Sequence, residues 1–218
     1  MTNNNNNSDD DDDDKKNNNS SFDPSNMLSS LFGGNTEELS KNEKSDIRSE
    51  ERRKRLKDND IEDQFEYLNT KAGEIAKKTK EIYPHVLIAG GLPPQNNTYE
   101  ADTRGQDEIR EDFFEQAKIL NPFVDFFYFD VLSSIKEIDL AIKAIQHFNK
   151  PYLIGAHISD GTKLPSGEII SDIITKIKHK DLLGLILSCV SPENYEINLN
   201  EMKNLRIPFG FKLNAFVT

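Results

Sequence analysis

Leu183-Gly184-Leu185-Ile186-Leu187-Ser188-Cys189-Val190-Ser191-Pro192-Glu193 is the stretch on which the fold turns. It is a short apolar run that leads into the chain's only cysteine and then becomes polar. Ser-Pro-Glu is a helix-start signal. Proline tolerates the first helical position, and a glutamate in the first turn faces the positive end of the helix dipole. Cys189 is therefore expected where a buried strand gives out and a helix begins. In α/β folds the carboxyl ends of the strands carry the chemistry. Four other apolar runs also end in polar or glycine-rich residues, so the folded region reads as organised around one shared rim.

Working outward, residues 85–91 read as a buried strand entering the Gly90-Gly91 turn, and 92–99 as a loop by composition. Strands are expected over 124–132, 152–158, 183–190 and 209–217, alternating with helices over 109–120, 136–148, 169–177 and 193–205. Upstream, Phe65, Leu68, Ala72, Ile75, Ala76 and Thr79 recur at three- and four-residue spacing, the mark of an amphipathic helix. The pattern is a helix followed by βαβαβαβαβ. The strands are near-continuous apolar runs, as in a parallel sheet covered on both faces. An eight-stranded (β/α) barrel and an open doubly wound sheet both satisfy it. The absence of Gly-x-Gly-x-x-Gly after a strand weakens the dinucleotide-binding form of the open sheet.

The first 60 residues are of another kind. Asparagines fill 3–7 and aspartates 9–14, followed by lysines, asparagines and serines. Such a segment buries too little apolar surface to offset its ordering entropy, so 1–60 is expected to be a disordered polar tail and 61–218 the folded domain. The basic run Arg52 to Arg55 reads as part of a solvated charged helix face. A net charge of −11 argues against a nucleic-acid surface, which needs a basic face. One cysteine in 218 residues precludes an internal disulfide and fits a reducing compartment. No apolar run nears the roughly 18 residues that cross a bilayer, and the asparagine-rich start is unlike a signal peptide. A cytoplasmic protein without a membrane partner is the expectation.

Several motifs, in order, resemble the homocysteine S-methyltransferase family, which includes betaine–homocysteine methyltransferase. Ala89-Gly90-Gly91-Leu92-Pro93-Pro94 resembles its Ala-Gly-Ser-Leu-Pro-Pro turn, and residues 124–130 its strand ending in an acidic residue, here Asp130. Ser166-Gly167-Glu168 resembles its Ser-Gly-Glu before a helix, and residues 188–193 its Asn-Cys-x-x-Pro-Glu segment. Residues 211–216 are similar to its Tyr-x-Asn-Ala-Phe strand.

The resemblance covers roughly 63–218. It implies an α/β fold, a parallel (β/α) barrel of TIM type, and methyl transfer from a small donor to the thiol of homocysteine. It implies a zinc ion that binds the thiolate, with Cys189 matching the first of three zinc cysteines. It further implies that Asp130 holds the substrate's amino group and that Gly90, Gly91 and Asn214 approach the substrate. Zinc chemistry suits the task, because a thiol of pKa about 8.5 is mostly protonated at neutral pH while the thiolate is the nucleophile.

The chain also departs from the pattern. The family's Gly-Gly-Cys-Cys segment has no counterpart, Ser188 stands where asparagine is usual, and Asp130 where glutamate is. The five strands align with the third to seventh of a barrel. A non-catalytic fragment is thus the alternative, and a partner chain would be needed to complete the barrel and its ligands. His157, on an apolar strand beside Asp160, reads as a core histidine before it reads as a base.

Overall fold

In the computed structural model, residues 53–214 are described, apart from 160, 178 and 179. Most of the expected tail, 1–52, and the end of the last expected strand, 215–218, lie outside the described residues. Structure begins upstream of the expected boundary at 61. Helix α1 (Arg53–Asp58) falls within the stretch read as tail, and its Leu56 is fully buried. Arg53 anchors α1 through ion pairs to Glu62 and Glu115 and lies over the Phe65 ring, 4.5 Å from its centroid. The compact unit that holds these residues spans Ser45–Thr218.

After a 3₁₀ turn at Glu62–Gln64 come α2 (Phe65–Ile82), β1 (Ala89–Leu92), α3 (Gln106–Leu120) and β2 (Phe126–Leu132). Then follow α4 (Ile135–Ile145), β3 (Tyr152–Ala156), α5 (Ile170–Lys176), β4 (Leu182–Val190), α6 (Pro192–Asn204) and β5 (Phe209–Leu213). All five strands are parallel, and their order in the sheet is β1-β2-β3-β4-β5. Each strand lies beside its predecessor and the order never reverses, so the open doubly wound arrangement is excluded for these strands. Parallel neighbours joined by right-handed crossovers place their helices on one face.

The burial pattern agrees. Phe127, Phe129, Tyr152, Ile154, Leu185 and Leu187 point to the helical face and are almost wholly buried. There Phe113 of α3 meets Phe129 edge-on at 6.4 Å, and Phe129 meets Tyr152 at 5.4 Å. The other face, with Tyr128, Leu153 and Ile186, is only half-buried. The apolar runs had implied cover on both faces. Among the described residues one face is packed, and the second carries its own short-range chemistry.

The first expected strand is shorter than the apolar run implied. Ile88 is tied to Asp125 by its N–H (2.7 Å, to the side chain) and its carbonyl (2.8 Å, from the backbone), but Leu87 is 71% exposed and the ladder starts only at Ala89. Lys80 holds the Asp125 carboxylate at 2.6 Å, which draws the chain toward α2 before the ladder begins. Two helix starts follow the capping rules. Ser134 accepts from Glu137 N–H at 3.1 Å to cap α4, and Ser191 accepts from Asn194 N–H at 3.2 Å to cap α6, whose first residue is Pro192. A buried amide chain pins the loop after β1 to two helices. Gln95 donates to Gln116 at 2.9 Å, and Gln116 donates to Asn69 at 3.1 Å. No helix among the described residues is long and apolar enough to cross a membrane.

Candidate functional site

Because the strands are parallel, their carboxyl ends share one edge of the sheet. Gly91, Asp130 and Cys189 lie within the last three residues of their strands, and Asn214 just past the end of β5. Asp160, expected on the same rim, lies outside the described residues.

Two strands reach the rim through bulges. The pairing of β2 with β3 slips between Phe129 and Leu132, and that of β4 with β5 between Ser188 and Val190. The bulges place Val131 at φ +62° and Cys189 at φ +55°. The left-handed region costs a residue with a Cβ about 1–3 kcal/mol, more readily tolerated where surrounding packing dictates it. A bulge re-aims the side chains around it, and bulges gather next to functional sites. The rim is thus built against local backbone preference at two points.

Register places Gly91, Tyr128 and Leu153 side by side on the open face, and Ser188 beside Lys212. Tyr128 of β2 reaches across β3 to Ser188 of β4, with 2.5 Å between their hydroxyl oxygens. Gly155 makes this possible. A Cβ there would lie 2.6 Å from Ser188 Oγ, 2.7 Å from Phe129 O and 2.9 Å from the Tyr128 ring. Lys212 of β5 donates to Asp130 Oδ2 at 2.5 Å, and its ammonium stands 6.0 Å from the Tyr128 ring centroid. The other Asp130 oxygen, Oδ1, is enclosed by protein with no hydrogen bond of normal geometry. Burial, with the nearby Asp130 charge second, pushes the Tyr128 phenol well above the ordinary tyrosine range.

Asn214 donates its side-chain N–H to the carbonyl of Cys189 at 3.1 Å, so two of the expected site residues are in direct contact. Cys189 is half-buried and close enough to the Tyr99 phenol to act on its ionisation. Burial and then Cys189 raise the Tyr99 pKa. Tyr99 itself sits at φ +69°, its ring centroid 4.5 Å from that of His157. The His157 Nδ1–H donates to Ser188 O at 3.2 Å, which leaves Nε2 to accept from Ser159 Oγ at 2.8 Å. With both nitrogens engaged and burial lowering its pKa, His157 is a structural histidine that holds β3 to β4.

The two glycines differ. A Cβ on Gly90 would stand 3.1 Å from Phe127 and from Val124, so Gly90 packs against the apolar interior. A Cβ on Gly91 would meet nothing within 4 Å, and that glycine leaves the open face clear. Sequence reading missed Tyr99, Tyr128, Ser188 and Lys212 as members of this cluster. A glycine inside an apolar strand, Gly155, was the available signal that something crosses there.

A cavity of about 160 Å³ also opens on the sheet, lined by Leu153, Gly184, Ile186, Pro208 and Gly210 among others. It lies toward the amino ends of β3, β4 and β5 and has no ionisable side chain in its lining.

Among the described residues, no group of three His, Cys, Asp or Glu side chains comes together to hold a metal ion. Around Cys189 stand the Tyr99 and Tyr128 phenols, the Ser188 hydroxyl, the Asp130 carboxylate and the His157 imidazole, whose nitrogens are already committed. A zinc ion bound by three cysteines does not fit these residues, because the sequence has one cysteine.

The sequence profile named Homocysteine S-methyltransferase matches residues 46–218. Among solved structures, the chain is similar to the homocysteine methyltransferase MmuM from Escherichia coli. The metallated form matches with a TM-score of 0.63 at 18% identity, over 70% of this chain and 59% of that one. The apo form matches with a TM-score of 0.61 at 18% identity, over 70% of this chain and 61% of that one. The oxidized form gives 0.57 at 14% identity, over 71% and 68%. The chain thus spans about three-fifths of the first two. No curated protein sequence matches it significantly.

Proposed function

This chain belongs to the homocysteine S-methyltransferase family, and from that membership we propose that the carboxyl-end rim of its sheet is a homocysteine-binding site. The observation that supports the reading most is the convergence of Asp130, Cys189 and Asn214 on one edge of a sheet whose strands follow chain order. On this reading the five strands form a contiguous part of a (β/α) barrel wall, and the half-buried face is the barrel's inner face.

The roles we assign are those the family resemblance implies. Asp130 is a carboxylate at the mouth, suited to an ammonium group. Gly91 leaves the substrate backbone room to lie on the sheet. Asn214, bonded to Cys189 O, holds β5 against the β4 bulge and so fixes where the Cys189 side chain points. Cys189 and Tyr99 border the place of the substrate's sulfur. Methyl transfer forms a bond from sulfur to the methyl carbon, while the bond from that carbon to the donor breaks and the donor keeps the electron pair. The acceptor thiol must lose its proton first, because the thiolate is the nucleophile. The described residues hold one carboxylate near Cys189, that of Asp130, which is paired with Lys212 and assigned here to the substrate's ammonium, and they do not fit zinc. We therefore assign them the binding and orienting part of the reaction, and assign thiol activation to groups outside them, such as a partner chain. A cytoplasmic setting and a small methylated donor accompany this reading.

The donor count favours a second reading, a homocysteine-binding module without catalysis. One assay tests both against a complete catalytic site in this chain. The full chain is given L-homocysteine, a sulfonium or betaine donor, and zinc, and methionine is measured. Slow or undetectable transfer and substoichiometric zinc are expected. Robust transfer that disappears in Cys189→Ala would show a complete site and overturn the division of labour proposed here.

A further inference from the structure

The ion pair at the mouth of the rim has a consequence for selectivity. Asp130 is the carboxylate to which a substrate ammonium would bind, yet Lys212 already occupies it. The Lys212 ammonium is on Oδ2, and the other oxygen is enclosed by protein. Lys212 projects from β5 onto the open face, beside Ser188 in register and near the face of the Tyr128 ring. A lysine that only protected an edge strand would lie along the unpaired edge or out in solvent. This one instead reaches over the sheet to the β2 end, past the two intervening strands β4 and β3.

We propose that Lys212 is a specificity-determining residue that acts as an internal stand-in for the substrate's ammonium, so that an amino-acid thiol must displace it to reach Asp130. This rests on the homocysteine reading of the rim. The pair can open, since the Lys212 side chain is 44% exposed and that of Asp130 27%. Partly exposed ion pairs are weak, and competition from one lowers apparent affinity by about fivefold. The penalty applies only to ligands that need Asp130, which means ligands with an ammonium group. A thiol of the same length without the amine avoids it.

The test is calorimetric titration of the full chain with L-homocysteine and, separately, with 4-mercaptobutanoate, which lacks the amino group. Wild type, Lys212→Met, Lys212→Gln and Lys212→Arg are compared. L-Homocysteine is expected to bind about fivefold tighter to the Met and Gln variants than to wild type. Its affinity for the Arg variant should stay near wild type, and 4-mercaptobutanoate should be indifferent to all three substitutions. Unchanged or weaker homocysteine binding to the Met and Gln variants would overturn the proposal and leave the homocysteine reading standing. Weakening of both ligands together would mean that Lys212 serves the carboxylate instead, and would also overturn it. If homocysteine binds to none of the proteins, the proposal and the reading beneath it fall together.

Discussion

Glu137 offers a quantitative test of how the rim is held in place. It is the third residue of α4, wholly buried, and accepts from the Ser134 hydroxyl at 2.9 Å. Its other oxygen, Oε1, is enclosed by protein with no hydrogen bond of normal geometry. Beside it in α4, Lys136 ties down the loop that carries Tyr99, donating to Arg104 O at 2.7 Å. Burial dominates and pushes the Glu137 pKa up from 4.5 to about 7, the nearby Asp102 charge acting in the same direction against the hydrogen bonds. A raised carboxyl pKa means that the native state holds its proton more tightly than the unfolded chain does. The group's contribution is therefore fully present below pH 4.5 and is lost as pH rises through about 7. Two and a half pKa units correspond to about 3 kcal/mol in total, of which roughly 2–3 kcal/mol falls between pH 5 and 8. Glu137→Gln keeps the shape and an acceptor but cannot titrate. Urea unfolding of both proteins from pH 5 to 8 should show the variant gaining that amount relative to wild type as pH rises. Parallel stability profiles would refute the argument and place Glu137 in a wetter or better-compensated site.

Other expectations are simpler. Gly155→Ala should cost about 1–3 kcal/mol, because its Cβ would press on the Phe129 carbonyl and part Tyr128 from Ser188; a lower thermal midpoint checks it. Ser191→Ala removes the cap of α6 and should cost about 1 kcal/mol by denaturant titration, while leaving the sheet signal in circular dichroism unchanged. The lowered pKa of His157 acts opposite to that of Glu137. Its contribution is present above pH 6.5 and declines as pH falls below that, so His157→Gln should flatten the acid side of the stability profile.

The sequence revealed the alternation of elements because two helices carry a capping serine at their start, Ser134 and Ser191, and the strands read as apolar runs. The order of strands in the sheet was not legible from periodicity, since barrels and doubly wound sheets share the same repeat. The family motifs located Asp130, Cys189 and Asn214 at strand ends, and these positions lie on one edge. What the sequence hid was lateral contact. Tyr128 and Ser188 meet across an intervening strand, and Lys212 reaches Asp130 from 82 residues away, so no spacing rule links them. The bulges at Val131 and Cys189 were hidden too, because neither position holds the glycine that usually marks positive φ. Gly90 and Gly91, alike in the motif, differ only in which face of β1 each one occupies.

The most direct test of the rim as a homocysteine site is amide hydrogen exchange on the full chain with and without saturating L-homocysteine. The account predicts added protection at the carboxyl ends of the strands, in peptides covering 128–132, 188–191 and 212–214. No change there, or protection confined to residues 184–186 and 208–210 around the apolar cavity at the other end of the sheet, would contradict it.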